Sequence, residues 1–186
     1  TEGYADMIQK GIGGKVVRFH VLANSDSEAD QTLKLAVRDR VLQEYGDLLE
    51  TCTSKEETLA ALKNAQQEIS ETAEAEVLAQ GYAYPVRVSL VREEFAFKKY
   101  GDLIFPAGVY DALRIEIGEA KGKNWWCVLY PQMCYVDAAW GYSTEESHVR
   151  LQNTLTKEEF LVVSAMEQKK VTPKIKCRLV ELWSER

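Results

Sequence analysis

The sequence predicts an α+β fold: a mostly antiparallel sheet with two long helices packed on one face and a short helical region near the C-terminus. Three observations carry this. A β-rich run, Val16–Ala23, comes first, and two long stretches with helical spacing follow it. Several runs with period-two alternation then succeed one another. Strands that cluster after a helical pair favour helices on one face of a sheet over a regular β-α-β alternation. At 186 residues the chain has the length of one domain. A globule of that size hides roughly 70% of its unfolded surface, enough for a real core. Residues 1–15 hold four glycines and no periodic pattern, so they read as a flexible lead-in to a single domain over 16–186.

The elements can be justified in order. In Val16–Ala23, Arg18 and His20 alternate against Val17, Phe19 and Val21, the patterning of a strand. Asn24-Ser25-Asp26-Ser27 breaks it, and Ser27 with Asp30 resembles a capping box that opens a helix. Leu33, Val37, Val41, Tyr45 and Leu48 give that helix one apolar face over 28–50. Asp30, Lys34 and Arg38 share another face, acid before base. Ser54-x-x-Glu57 opens a second long helix, with Leu62, Ile69, Ala73 and Val77 inward and Gly81 at its end. Tyr84–Val91 then alternates as a strand, continuing to Phe95 and Phe97. The adjacent Glu93 and Glu94 predict a bulge. Val109–Gly118 is a half-buried strand, and Asn124–Tyr130 (NWWCVLY) reads as its antiparallel partner across the turn Glu119–Lys123. Residues 136–155 look like a polar excursion. Thr156-x-x-Glu159 opens a short helix to about Lys169, and Lys174–Trp183 is a final amphipathic piece.

Charge and motif content exclude several functions. Twenty-three basic against 29 acidic residues give a net charge of -6. That argues against non-specific nucleic-acid binding, which needs phosphate neutralisation. No apolar run reaches the length of a membrane span. The chain begins at Thr1, and a removed secretory segment is the common reason for such a start. The two histidines and four cysteines include no CxxC pair, so no metal site is expected. No cofactor is expected either: P-loop, dinucleotide and zinc-protease motifs are missing. Asn24-x-Asp26-x-Glu28 starts like a calcium loop, but Ala29 and Leu35 stand where Gly and Glu are required. Adjacent carboxylates such as Glu93-Glu94 read as solvated charges, and Glu158-Glu159 as favourable acids in a helix first turn. From spacing alone the cysteines fit either one or two bridges, with Cys127 and Cys134 the close pair, or buried free thiols.

Two features exceed structural need. Capping requires one polar side chain, yet Asn24 to Ser27 are four in a row, followed by Asp30 and Gln31. Asn24, Asp26, Asp30, Lys34 and Arg38 are therefore candidate partner-binding residues. Trp125 and Trp126 are adjacent on a strand, so they face opposite sides. An exposed tryptophan is a frequent binding anchor, which adds both to the candidates; the alternative is burial beneath the 136–155 excursion.

Arg18–Val41 (RFHVLANSDSEADQTLKLAVRDRV) and Asn124–Asp137 (NWWCVLYPQMCYVD) together resemble the stage II sporulation protein R family of endospore-forming Firmicutes. Tyr100-Gly101-Asp102, Pro106-Ala107-Gly108-Val109-Tyr110 and Gly118 fit the same pattern. The resemblance covers roughly Val17 to Asp137; residues 1–15 and 138–170 lie outside it, and Cys52 and Cys177 are not part of the signature. It implies a protein made in the forespore and exported to the space between forespore and mother cell. There it would trigger a membrane-embedded aspartic protease of the mother cell that processes the sigma-E precursor. It implies a signal and not an enzyme, so no catalytic residue carries over. The alternative is a secreted peptide or cell-wall hydrolase. The exported setting, the short spacing and the intervening Pro131 together predict a Cys127–Cys134 disulfide; a Cys52–Cys177 bridge is a further option.

Overall fold

A computed structural model describes residues 2–134 and 145–165. The elements are α1 (Glu2–Lys15), β1 (Val17–Leu22), α2 (Glu28–Glu50), α3 (Lys55–Asn64), α4 (Gln66–Ala79), β2 (Val86–Phe95), β3 (Lys98–Tyr100), β4 (Leu103–Phe105), β5 (Gly108–Ile117), β6 (Asn124–Tyr130), α5 (Glu145–Thr154) and α6 (Lys157–Ala165). The expected α+β class holds. Lys174–Trp183 lies outside the described residues.

Four strands form a sheet in the order β2-β5-β1-β6, and β3 and β4 make a separate ribbon. β5 pairs antiparallel with β2 and parallel with β1, while β6 pairs antiparallel with β1. β5 and β6 are therefore not the hairpin that their spacing suggests. β1 is inserted between them, with Val17, Phe19 and Val21 fully buried. The bulge expected at Glu93-Glu94 is also not there: the β2–β5 register runs unbroken from Val86 to Phe95. Glu93 instead points across the sheet to Arg114 at 2.9 Å, so the acid is satisfied without leaving the ladder. The irregularity falls at Val17/Arg18, against β6.

The two faces of β1 bury different chemistry. Val17, Phe19 and Val21 meet Leu33, Val37, Val41, Ile69, Ala73 and Val77 from α2 and α4 in an aliphatic core. The α2 stripe continues to Leu49; Leu48 is exposed. What reads as one long helix after Ser54 is two, α3 and α4, meeting at Ala65, where the backbone leaves helical geometry. Gln66 then donates to the Val88 carbonyl at 3.0 Å, fixing the second segment against β2. Both Ser54 and Thr156 cap their helices as expected.

The second face is covered as well, by segments in which the sequence predicts no regular element. Residues 2–15 form α1, whose Ile8 and Ile12, with Val16 just beyond, meet Phe95, Leu103, Phe105, Tyr110, Leu151, Leu155 and Val163. Their step of four is a helical stripe, masked by the glycines between them. Lys15 binds Glu159 of α6 at 2.6 Å, and Lys55 of α3 binds the Gly13 carbonyl and Asp111. Within the expected polar excursion, 145–154 is α5, while 136–144 lies outside the described residues. Phe97, expected to point inward, is 68% exposed.

Cys127 and Cys134 are joined in a disulfide that closes the chain reversal after β6. Cys52 is a free thiol, and Cys177 lies outside the described residues. Alkylation of the oxidised protein should leave the Cys127–Cys134 pair unmodified until reductant is added. The Cys127→Ser, Cys134→Ser double variant should lose about 2–3 kcal/mol in urea unfolding, the effect of freeing so short a loop.

Candidate functional site

The link from β5 to β6, residues 118–123, has to pass over the C-terminal end of β1, and the Asn24–Gln31 segment receives it there. Lys121 and Gly122 donate backbone N–H to the carbonyls of Asn24 and Ala23 at 3.2 and 2.9 Å. Asn24 Oδ1 accepts from the Glu119 N–H at 2.9 Å, and Asp26 Oδ1 accepts from the Lys123 N–H at 2.7 Å. Gly118 has φ near +60°, and a Cβ there would lie 2.2 Å from Asn24 Oδ1, so only glycine suits the crossing. The run of polar residues that exceeds capping need is thus largely a clasp for a crossing loop.

Asp30 belongs to this clasp. Ser27 Oγ accepts the Asp30 N–H at 3.2 Å, which is the expected cap. The Asp30 carboxylate does not return the bond; it accepts from Ser25 Oγ at 2.5 Å and Asn24 Nδ2 at 2.8 Å. Those two bonds hold its pKa below the usual carboxylate range against the opposing effect of burial. Gln31 donates to the Ser25 carbonyl at 3.0 Å and accepts from Lys34 Nζ at 2.5 Å; Lys34 also donates to the Lys123 carbonyl at 3.0 Å. Gln31 and Lys123 are the members that sequence reading did not place in the site. Their roles depend on β1 lying between β5 and β6, which no local pattern encodes.

The two tryptophans divide as alternation requires. Trp125 stands on the α2 side, edge-on to Phe19 at 5.7 Å, with the Arg38 guanidinium 4.7 Å above its ring. Trp126 stands on the other side, stacked on His20 at 4.6 Å. Both are half-buried. Asn24, Asp26, Asp30, Lys34, Arg38 and Trp125 are therefore brought together at one end of the sheet, and Trp126 is separated from them by the sheet itself.

His20 and Arg18 line the second face. Arg18 is fully buried among Phe95, Tyr110, Phe105 and Tyr100, its guanidinium carbon 4.8 to 5.9 Å from the ring centroids, and it donates to Tyr100 Oη at 3.0 Å. His20 Nε2 is 3.0 Å from Glu93 Oε1, yet neither ring nitrogen has hydrogen-bond geometry to a partner. Glu93 is already engaged by Arg114. Burial, followed by the charges of Arg114 and Arg18, pushes the imidazole down to about 3. His20 is thus a neutral, packed ring. Among the described residues no three His, Cys, Asp or Glu side chains are grouped to hold a metal. An open groove of about 310 Å³ lies elsewhere, lined by Leu49, Cys52, Thr53, Tyr130, Gln132 and Arg150.

Three stability measurements check this geometry. Asn24→Ala removes a buried carboxylate's partner and an acceptor of the crossing loop, so it should cost about 2 kcal/mol. Ser27→Ala, losing the cap alone, should cost about 1 kcal/mol. For His20 the folded pKa lies below the unfolded one, so its contribution is complete above about pH 6.5 and is lost as pH falls towards 3. Between pH 7 and pH 5 the protein should lose about 2 kcal/mol more in urea unfolding than His20→Phe does. Equal losses in the two proteins would mean that the fold does not lower the His20 pKa.

Comparison with known proteins points the same way as the two motifs. A family model described as stage II sporulation protein R matches residues 13–140. The stage II sporulation protein R of Bacillus subtilis (strain 168) is 32% identical over 184 residues, covering 94% of this chain and 82% of that protein. No solved structure matches the chain. Both motifs lie within the matched residues, and the clasp joins them in space; the chain belongs to the stage II sporulation protein R family.

Proposed function

We propose that the chain is an exported sporulation signal that activates a membrane-embedded aspartic protease of the mother cell. The protease then processes the sigma-E precursor. In this reading the protein is made in the forespore and acts in the space between the two cells. It works as a ligand of the protease and performs no chemistry itself. Family membership supports the sporulation role, and the Cys127–Cys134 disulfide suits an oxidising, extracytoplasmic location.

The observation that carries the reading is the convergence of the two motif segments at one end of the sheet. There Arg38 and Trp125 form a surface that the clasp holds in place. Two titratable groups of the first motif have structural duties: Asp30 ties the loop, and His20 is packed as a neutral ring. A ligand needs a rigid, shaped surface more than it needs a reactive group, and side chains locked by packing and hydrogen bonds provide one. The candidate partner contacts are Arg38 and Trp125 at the surface, with Asn24, Asp26, Asp30 and Lys34 supporting them. Trp126 lies on the other sheet face and would belong to a second contact.

The test is addition of the purified, oxidised chain to membranes carrying the protease and its precursor substrate. Precursor cleavage should rise with added chain and saturate, as for a stoichiometric ligand. Cleavage that stays at background at all concentrations, with the chain folded, would refute the reading.

A further inference from the structure

The corner where α2 meets β6 buries a cation without giving it an acid. Lys34 is 5% exposed. Its two recorded acceptors, Gln31 Oε1 and the Lys123 carbonyl, are both neutral, and an ammonium has three N–H groups to place. Burial first, and then the Arg38 guanidinium, keep the Lys34 pKa below the usual lysine range; Asp26 opposes this and Lys123 adds to it. The nearby acids are committed elsewhere. Asp26 accepts the Lys123 N–H, Asp30 is held by Asn24 and Ser25, and Glu119 pairs with Lys121. Asp39 pairs with Arg38 at 2.6 Å, but its side chain is 64% exposed, so solvent screens the pair. Beside these charges stand the half-buried Trp125 indole and Leu35, which is 38% exposed.

The Arg38 guanidinium therefore lies over the Trp125 ring, with the Lys34 and Lys123 charges nearby, in a chain whose net charge is -6. The α4 helix, by contrast, carries Glu68, Glu71, Glu74 and Glu76 and no basic residue. The corner thus presents the cations Arg38 and Lys123 near an indole, while α4 presents carboxylates alone, the kind of asymmetry that orients a partner.

We propose that this corner binds an acidic segment of the partner protein, whose carboxylates engage Arg38 and Lys123 beside Trp125, with the Lys34 charge behind them. The inference rests on the reading of the chain as a protein ligand and names the chemistry that the partner must present. An Asp or Glu arriving here would displace the exposed Asp39 from Arg38 and complete the charge balance of Lys34. The indole and Leu35 would cover the aliphatic part of the same segment.

The experiment is the membrane activation assay, read as the chain concentration that gives half-maximal precursor cleavage, with folding checked by circular dichroism and urea unfolding. Arg38→Glu and Lys123→Glu should each raise that concentration about ten-fold or more, and Arg38→Lys should recover most of the loss. Raising salt from about 0.05 to about 0.5 M should weaken wild-type activation and have less effect on Arg38→Glu. Arg87→Glu, on an exposed side chain of the sheet edge, should behave as wild type. Folded Arg38→Glu and Lys123→Glu proteins that activate at the wild-type concentration would overturn the inference and leave the ligand reading standing. A wild-type chain that fails to activate would overturn the ligand reading, and this inference with it.

Discussion

The insertion of β1 between β5 and β6 is the constraint on which the rest depends. It forces residues 118–123 to cross a strand end, where the loop's backbone groups need partners. The Asn24–Gln31 segment supplies them from backbone carbonyls, an amide and a carboxylate. The same crossing delivers β6 to the side of α2, which puts Trp125 under Arg38 and the Lys123 carbonyl on Lys34. Had β5 and β6 paired directly, those contacts would not exist. Fold and candidate surface are thus two results of one topological choice.

The second face of β1 shows a different balance. Burying the Arg18 guanidinium costs several kcal/mol. Four aromatic rings around it return up to about 2 kcal/mol each when desolvated, and the Tyr100 hydroxyl accepts one hydrogen bond. The terms are of similar size, so the net gain in stability is small. What the arrangement provides is placement: Tyr100 and Phe105 come from the β3–β4 ribbon, and the cation fixes that ribbon to the sheet. His20 sits one step along β1, and its neutrality follows in part from the Arg18 charge.

Much of this was legible in the sequence because it is local. The β1 alternation, the 28–50 helix, the bounds of β6 and the caps at Ser27, Ser54 and Thr156 each depend on side chains a few residues apart. The α1 helix was not legible, since Gly11, Gly13 and Gly14 lower helix propensity and its stability comes from docking Ile8 and Ile12. The break at Ala65 was hidden because Gln66 is held by Val88, a residue on a strand. At the candidate site the sequence marked the right segments. It could not separate structural from surface duties: Asn24 and Asp30 proved to be clasp residues, a distinction that depends on pairing between distant strands.

Under the proposed function, this corner of the sheet faces the protease during sporulation. The most direct measurement is site-specific photocrosslinking in sporulating cells, with a benzophenone amino acid replacing Asp39, next to Arg38 and outside the clasp. A covalent adduct between the chain and the membrane-embedded protease should form from this position, and none from the same probe at Glu74 on α4. An adduct formed from Glu74 and not from Asp39 would contradict that placement.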